Sequence, residues 1–170
     1  MVSVIHPCVS SGPDSLFYGF LPSPLGRLLL VADAGGLRRI DLPGGRRGSV
    51  PAPDWREDPR ALVPAIRQLN DYFVGRSTTF DLALCPHGTP FQVQVWTALL
   101  QIPFGRTCSY GELARRIGRP TASRAVGAAN GANPLPIVIP CHRVIGSDGS
   151  LTGFGGGLAA KRWLLRHEAL

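Results

Sequence analysis

The spacing of apolar residues changes character halfway along this chain. Between Phe17 and Leu42 they fall in short runs, Phe17 to Leu21, Leu28 to Ala32 and Leu37 to Leu42. The stretches between them, Pro22-Ser23-Pro24-Leu25-Gly26 and Ala34-Gly35-Gly36, are turn formers, so three strands are predicted. Pro43 to Asp54 reads as a Pro/Gly/Arg loop. Asp58-Pro59 then supplies an N-cap and a proline at the first helical position. A helix from there to about Phe73 places Leu62, Ile66, Leu69 and Phe73 on one face, with Gly75 as its stop. Phe80 to Leu84 adds a further strand, and residues 1–14, mixing Ser, Gly and Pro, read as a loose arm. The first half is expected to be a small sheet with one covering helix.

After Cys85-Pro86-His87-Gly88, which reads as a linker, the period becomes helical. Thr89 caps, Pro90 opens, and Phe91, Val95 and Leu99 form a stripe with Trp96 beside it. Ser109-Tyr110-Gly111-Glu112 is a capping box opening a short helix that Gly118 closes, and Thr121 is placed to cap a second one, Ala122 to about Ala129. Two short helices around a Gly-Arg-Pro turn read as helix-turn-helix. The second is made of small residues, Ala122, Ser123, Ala125, Gly127, Ala128 and Ala129, with Arg124 as its one long cationic arm. Close approach to a nucleic-acid groove and tight helix packing both account for such a face. A strand Ile137-Val138-Ile139, the tetrad Pro140-Cys141-His142-Arg143, a hairpin turning at Asp148-Gly149, a Gly-rich loop 153–157 and a closing helix Leu158 to Ala169 complete the expectation. Two domains follow, 1–85 and 86–170.

Charge sharpens this division. The formal net charge is +7, and residues 86–170 hold nine Lys/Arg against three Asp/Glu, whereas residues 1–85 hold nine against eight. The basic half is the candidate polyanion binder, although seventeen arginines and one lysine also fit a compositional bias that serves only solubility. No run approaches the roughly 18 apolar residues of a membrane span, and the first residues lack a signal-peptide pattern, so a soluble cytoplasmic protein is expected. Cys8, Cys85, Cys108 and Cys141 are widely spaced with no CxxC pair, and free thiols are expected. His6, Cys8, Cys85 and His87 make a zinc site only if the fold gathers both ends, so no metal is expected.

Chemistry concentrates at Cys141. A thiol after a strand and a proline, followed by His142 and Arg143, has a potential base and a fixed positive charge beside it, surroundings that favour thiolate. Neighbours on a strand point to opposite faces, so Cys141 and His142 need a turn or a bridging water to communicate. His142 needs an acceptor to hold its tautomer. Glu168 is the candidate, since Glu112 and Asp148 have local roles in a cap and a turn. On spacing alone, an inert buried thiol beside a surface imidazole is the favoured reading.

The stretch from Phe91 to Glu168 resembles the C-terminal domain of the O6-methylguanine-DNA methyltransferases, whose Ile-Pro-Cys-His-Arg-Val signature stands at Ile139 to Val144. Val95-Trp96, Ala98-Leu99, Ile102-Pro103 with Gly105, Ser109-Tyr110, Arg124 to Gly127, Asn133-Pro134 and Gly156-Gly157-Leu158 match in the same order. The resemblance implies an α/β protein: a small ribonuclease H-like N-terminal domain that scaffolds, then a winged helix-turn-helix domain. It implies direct-reversal DNA repair in which the alkyl group of O6-alkylguanine, and of O4-alkylthymine, passes irreversibly from a flipped-out nucleotide in duplex DNA to Cys141. No cofactor is involved, one molecule repairs one lesion, and the protein works as a monomer in the minor groove with no obligate protein partner. His142 would deprotonate Cys141 through a water, Glu168 would orient His142, and Asn133 would tie the helix-turn-helix to the active-site strand. Tyr110 would protonate N3 of the leaving guanine, Arg124 would fill the gap left by the nucleotide, and backbone groups at Cys141 and Val144 would read the guanine edge. Ser123, Ala125, Gly127 and Arg143 are expected on the DNA, and Val144, Pro136, Phe154, Gly155 and Trp96 around the substrate pocket. Phe154 stands where many members carry Tyr, which bears on substrate size.

Three other classes compete. Alkyltransferase-like proteins that flag lesions without chemistry have another residue at the acceptor position, where this chain has Cys141. A helix-turn-helix regulator would want a polar, base-reading second helix. A thiol hydrolase would need an oxyanion hole and would turn over.

Overall fold

A computed structural model describes residues 3–6, 16–45 and 48–169 of the chain. It divides into two compact units, Met1–His87 and Gly88–Leu170.

The first unit is built on a six-stranded sheet. Strand β1 is Val4–Ile5, β2 Phe17–Ser23, β3 Gly26–Asp33, β4 Gly36–Asp41, β5 Arg56–Glu57, and β6, after helix α1 (Val63–Phe73), is Ala83–Leu84. Their order across the sheet is β1-β6-β4-β3-β2-β5. The three predicted strands are the antiparallel meander at its centre, with Leu21 opposite Leu28 and Leu30 opposite Ile40. The tight turn before β3 needs Gly26, whose φ is 97°. In β3 the residues Leu28 to Val31 are all buried, so this strand reads as a continuous apolar run and not as an alternation.

Several expectations change here. Val4 and Ile5, placed in a loose arm, instead pair in parallel with Ala83 and Leu84; positions 1–2 and 7–14 of that arm lie outside the described residues. The strand expected over Phe80 to Leu84 shrinks to its last two residues, and Phe80 turns inward against Tyr72 at 5.4 Å between ring centroids. The helix begins as predicted, with the Asp58 carboxylate accepting from Arg60 N at 3.1 Å, but its first turn, Pro59–Leu62, is 3-10. Three residues per turn instead of 3.6 rotates the face that follows, so Leu62, Ala65, Leu69 and Tyr72 are buried in place of the predicted set with Ile66 and Phe73. Cys85 is disulfide-bonded, which overturns the expectation of a free thiol at that position.

Gly36 is where β4 meets β6. It has φ 136°, and a Cβ there would lie 2.3 Å from the Ala83 carbonyl oxygen. Gly36→Ala is expected to lower stability by at least about 1 kcal/mol, since it combines a strained φ with a backbone clash. A thermal melt in which the variant keeps the wild-type midpoint would contradict this.

The second unit is mainly helical. It holds α2 (Pro90–Leu99), β7 (Cys108–Ser109), α3 (Tyr110–Arg116), α4 (Ser123–Gly131), β8 (Val144–Ile145) and α5 (Leu158–Glu168). Thr89 with Gln92 and Ser109 with Glu112 form complete capping boxes. The N-cap of α4 is Ala122, without a side-chain bond, so Thr121 does not cap it. Trp96 ties α2 to α4, its Nε1 donating to the Ala129 carbonyl at 2.9 Å.

The predicted strand over Ile137 to Ile139 is a set of turns. Pro134, Pro136 and Pro140 remove the N–H groups that a ladder would use, and Ile137 takes φ 78°. An apolar run of this length does not separate a strand from a buried turn by its pattern. Nor does Asp148-Gly149 head a hairpin. Gly149 N donates to Gly146 O at 3.0 Å and closes a local turn, while β8 pairs in parallel with β7 instead.

Candidate functional site

Cys141, His142 and Arg143 form one turn of 3-10 helix between the proline-rich turns and β8. A strand would have sent Cys141 and His142 to opposite faces; the turn brings both into the interior. Cys141 is 3% exposed and His142 fully buried, so the imidazole is not at the surface as the reading of an unconnected pair required.

His142 Nε2 lies 2.8 Å from Glu168 Oε1 on α5. A carboxylate only accepts, so Nε2 carries the proton, and Nδ1 is left as a lone pair. Nδ1 is buried and has no hydrogen-bond partner among the described residues. Arg143 closes the other side of Glu168. Its Nε donates to Oε2 at 2.8 Å and its Nη2 to Oε1 at 2.9 Å, in the two-pronged geometry that guanidinium and carboxylate favour, while Nη1 reaches the Ile102 carbonyl at 2.5 Å. Gly105 N adds a bond to Oε2 at 3.3 Å. Arg143 was expected on the DNA, but it is buried and committed to Glu168, so it supports the site from beneath.

These contacts set the proton affinities. Burial alone would raise the Glu168 carboxyl, but hydrogen bonds and charge from His142 and Arg143 outweigh it and hold the group far below the usual carboxylate range. Burial pulls His142 below its ordinary value; Glu168 opposes that, and the positive charges of Arg143 and Lys161 add to it. The Cys141 thiol is pushed up to about 11 by burial, against the hydrogen bond from Asn133 and the charge of Lys161. At rest the site therefore favours a neutral thiol and a neutral imidazole whose free nitrogen is a bare acceptor.

Two asparagines hold the turn. Asn133 Nδ2 donates to Ile139 O at 2.8 Å and its Oδ1 accepts from Leu135 N at 3.0 Å, fixing the approach to Cys141. Asn130, buried on α4, directs Nδ2 to the Cys141 carbonyl at 3.4 Å. Tyr110, the first residue of α3, donates its phenol to the Thr152 carbonyl at 3.2 Å. Phe154 is half-buried and stands edge-on to His142 at 6.5 Å, and Gly155 is exposed beside it.

On α4, Arg124 and Ala125 are exposed and Ser123 and Gly127 half-exposed, so the outward face is made of small groups with one guanidinium. Of the residues expected around a pocket, Val144 and Pro136 are buried at the site. Trp96 lies 1% exposed in the core beneath α4 and is not open to a ligand. Asn130, Thr152 and Lys161 escaped the sequence reading. For Lys161 a signal existed, because it is the chain's one lysine among seventeen arginines.

Comparison with known proteins gives concordant matches over both units. The family model described as the 6-O-methylguanine DNA methyltransferase, DNA binding domain matches residues 90–170, and that described as the ribonuclease-like domain of the same enzyme matches residues 16–86. The methylated-DNA--protein-cysteine methyltransferase of Methanosarcina barkeri is 50% identical over 90% of this chain and 97% of its own. Its namesake from Mycobacterium bovis is 48% identical over 90% and 92%. The crystal structure of Mycobacterium tuberculosis OGT in complex with DNA superposes with a TM-score of 0.83 at 49% identity, covering 90% of this chain and 92% of that one.

Proposed function

Since this chain belongs to the 6-O-methylguanine DNA methyltransferase family, we propose that Cys141 is the residue on which it takes up alkyl groups from damaged guanine in DNA, with His142 and Glu168 as its base system. The observation that carries this reading is the buried Cys141-His142-Glu168 arrangement with His142 Nδ1 left as a lone pair beside the thiol turn.

His142 Nδ1 takes the Cys141 proton through a bridging water, and Glu168 together with Arg143 stabilises the imidazolium that results. The thiolate lone pair forms an S–C bond to the alkyl carbon while the C–O6 pair leaves with guanine. Tyr110 neutralises the departing base at N3, for which its phenol must release the Thr152 carbonyl. A thioether does not revert under ordinary conditions, so each molecule acts once and needs no cofactor.

A base inside a duplex cannot reach a thiol this deeply buried, so the nucleotide is flipped out, at a cost of a few kcal/mol. Arg124, alone on a face of small side chains, fills the vacated position, while Ser123, Ala125 and Gly127 let α4 sit close in the minor groove. Phosphate contacts make binding largely independent of sequence. The carbonyls of Cys141 and Val144 read the guanine edge, Pro136, Phe154 and Gly155 shape the pocket, and O4-alkylthymine is a second substrate. The first unit scaffolds the second. The protein acts as a monomer inside the cell; among the described residues no helix is long and apolar enough to cross a membrane.

Incubation with duplex DNA carrying one O6-methylguanine is expected to add one methyl mass, saturating at one equivalent and mapping to the Cys141 peptide. Lesion binding without any mass change would overturn the proposal in favour of a flagging protein.

A further inference from the structure

The most buried cation in the second unit plays no part in the mechanism above. Lys161, one turn into α5, is fully buried, and its ammonium donates to the carbonyls of Val144 at 2.6 Å and Thr152 at 2.7 Å. Both partners are neutral. A buried ammonium is costly unless something compensates its charge, and carbonyl dipoles do so only in part. Composition makes its presence more telling: the chain uses arginine seventeen times and lysine once. At this one position a compact ammonium, not a planar five-donor fork, donates to two backbone carbonyls.

The charges around Cys141 say what compensates it. Its own turn contributes His142 and Arg143, α5 contributes Glu168 and Lys161, α3 contributes the Tyr110 phenol through Thr152, and Asn130 and Asn133 are neutral. Arg143 and Glu168 neutralise each other, so with thiol and imidazole both uncharged the cluster holds one net positive charge, on Lys161. We infer that Lys161 is a positioning residue for the transfer: it is the standing counter-charge of the Cys141 thiolate, and it holds the Val144 and Thr152 carbonyls. When the thiol proton passes to His142 the cluster keeps its net charge, and the Lys161 ammonium offsets the new thiolate. Consistent with this, the one charge that raises Lys161 against the lowering effect of its burial is Cys141, and Lys161 in turn lowers Cys141. The sharing of the Thr152 carbonyl links the same ammonium to the Tyr110 hydroxyl. The inference rests on the reading of Cys141 as a nucleophile.

Two measurements test it without DNA. The first is the pH profile of Cys141 alkylation by iodoacetamide, followed by peptide mapping so that Cys108 is counted separately. In Lys161→Met, which keeps the length and removes the charge, the midpoint is expected to move up by about one unit or more, with a fall of about tenfold in rate at neutral pH. An unmoved midpoint in folded Lys161→Met would overturn the inference. The second leaves Lys161 in place, so it stands even if that variant does not fold. With lysine labelled by carbon-13 at Cε the protein gives a single side-chain signal, and Lys161 is expected to titrate at lower pH in Cys141→Ala than in the wild type. Identical titrations would overturn the counter-charge role. Methyl uptake by the wild type together with an unmoved alkylation profile in Lys161→Met would sink this inference alone; absence of methyl uptake would sink the proposed function.

Discussion

Cys141→Ser, mixed with duplex DNA carrying O6-methylguanine, will take up no methyl group while still binding the DNA. The substitution changes one atom, and every proton-transfer partner, His142, Glu168 and Arg143, stays in place. What is lost is the nucleophile. A serine hydroxyl is a far weaker acid than a thiol and a poor attacker of alkyl carbon, and this position, 3% exposed, gives an alkoxide no water to stabilise it. Transfer should fall at least about a thousandfold, as it does when a nucleophile is removed from a concerted set of residues. Because a buried hydroxyl must keep a hydrogen-bond partner, Cys141→Ser also risks about 1–3 kcal/mol of stability. Cys141→Ala serves as the control that lacks this cost. Methyl transfer to either variant, traced by peptide mass, would show that the acceptor lies elsewhere.

Glu168→Ala carries the second large effect, and it falls on the fold as much as on the reaction. Removing the carboxylate strands the Arg143 guanidinium in the interior and leaves the proton of His142 Nε2 without an acceptor. Breaking one side of a buried ion pair costs about 3–5 kcal/mol, against a total stability of about 5–15 kcal/mol for a typical domain. The dependence on pH follows from the directions of the shifts. Glu168 is held below its ordinary 4.5, so the stability it contributes is complete above that value and is lost as pH falls towards its folded pKa. His142 is held below its ordinary 6.5, so the unfolded chain binds that proton first, and stability declines already as pH drops below 6.5. Urea titrations from neutral to acid pH should show both losses in the wild type. In Glu168→Ala the loss below 4.5 should be smaller by this carboxylate's share, and a variant as stable as wild type at pH 7 would disprove the keystone role of this carboxylate.

How much of this was written in the chain depends on the kind of signal. The cap at Thr89, the capping box at Ser109 and the three meander strands were legible because each is decided by residues a few positions apart. So was Glu168 as partner of His142, since few carboxylates compete in the second half. The turns at Ile137 to Ile139 were not, because apolar residues give the same pattern whether they pair in a ladder or fold back among prolines. The destination of Arg143 was hidden for a related reason. An arginine three residues into a reactive motif reads equally as a phosphate ligand or as a buried clamp, and only the return of α5 to Ile102 and Gly105 decides. The small pairings of β1 with β6 and of β7 with β8 join positions about 80 and 36 residues apart, and no local pattern announces them.

The distribution of cations has a consequence for anything that reacts with amines. Seventeen guanidinium side chains and a single, fully buried ammonium mean that acylating cross-linkers, or enzymes that attach acetyl groups and peptide tags to lysine, meet no side-chain target on the folded surface. Their one side-chain substrate sits under the Thr152 carbonyl, reachable only when α5 and the neighbouring loop come apart. Acylation of Lys161 is therefore a clock for the local opening of α5.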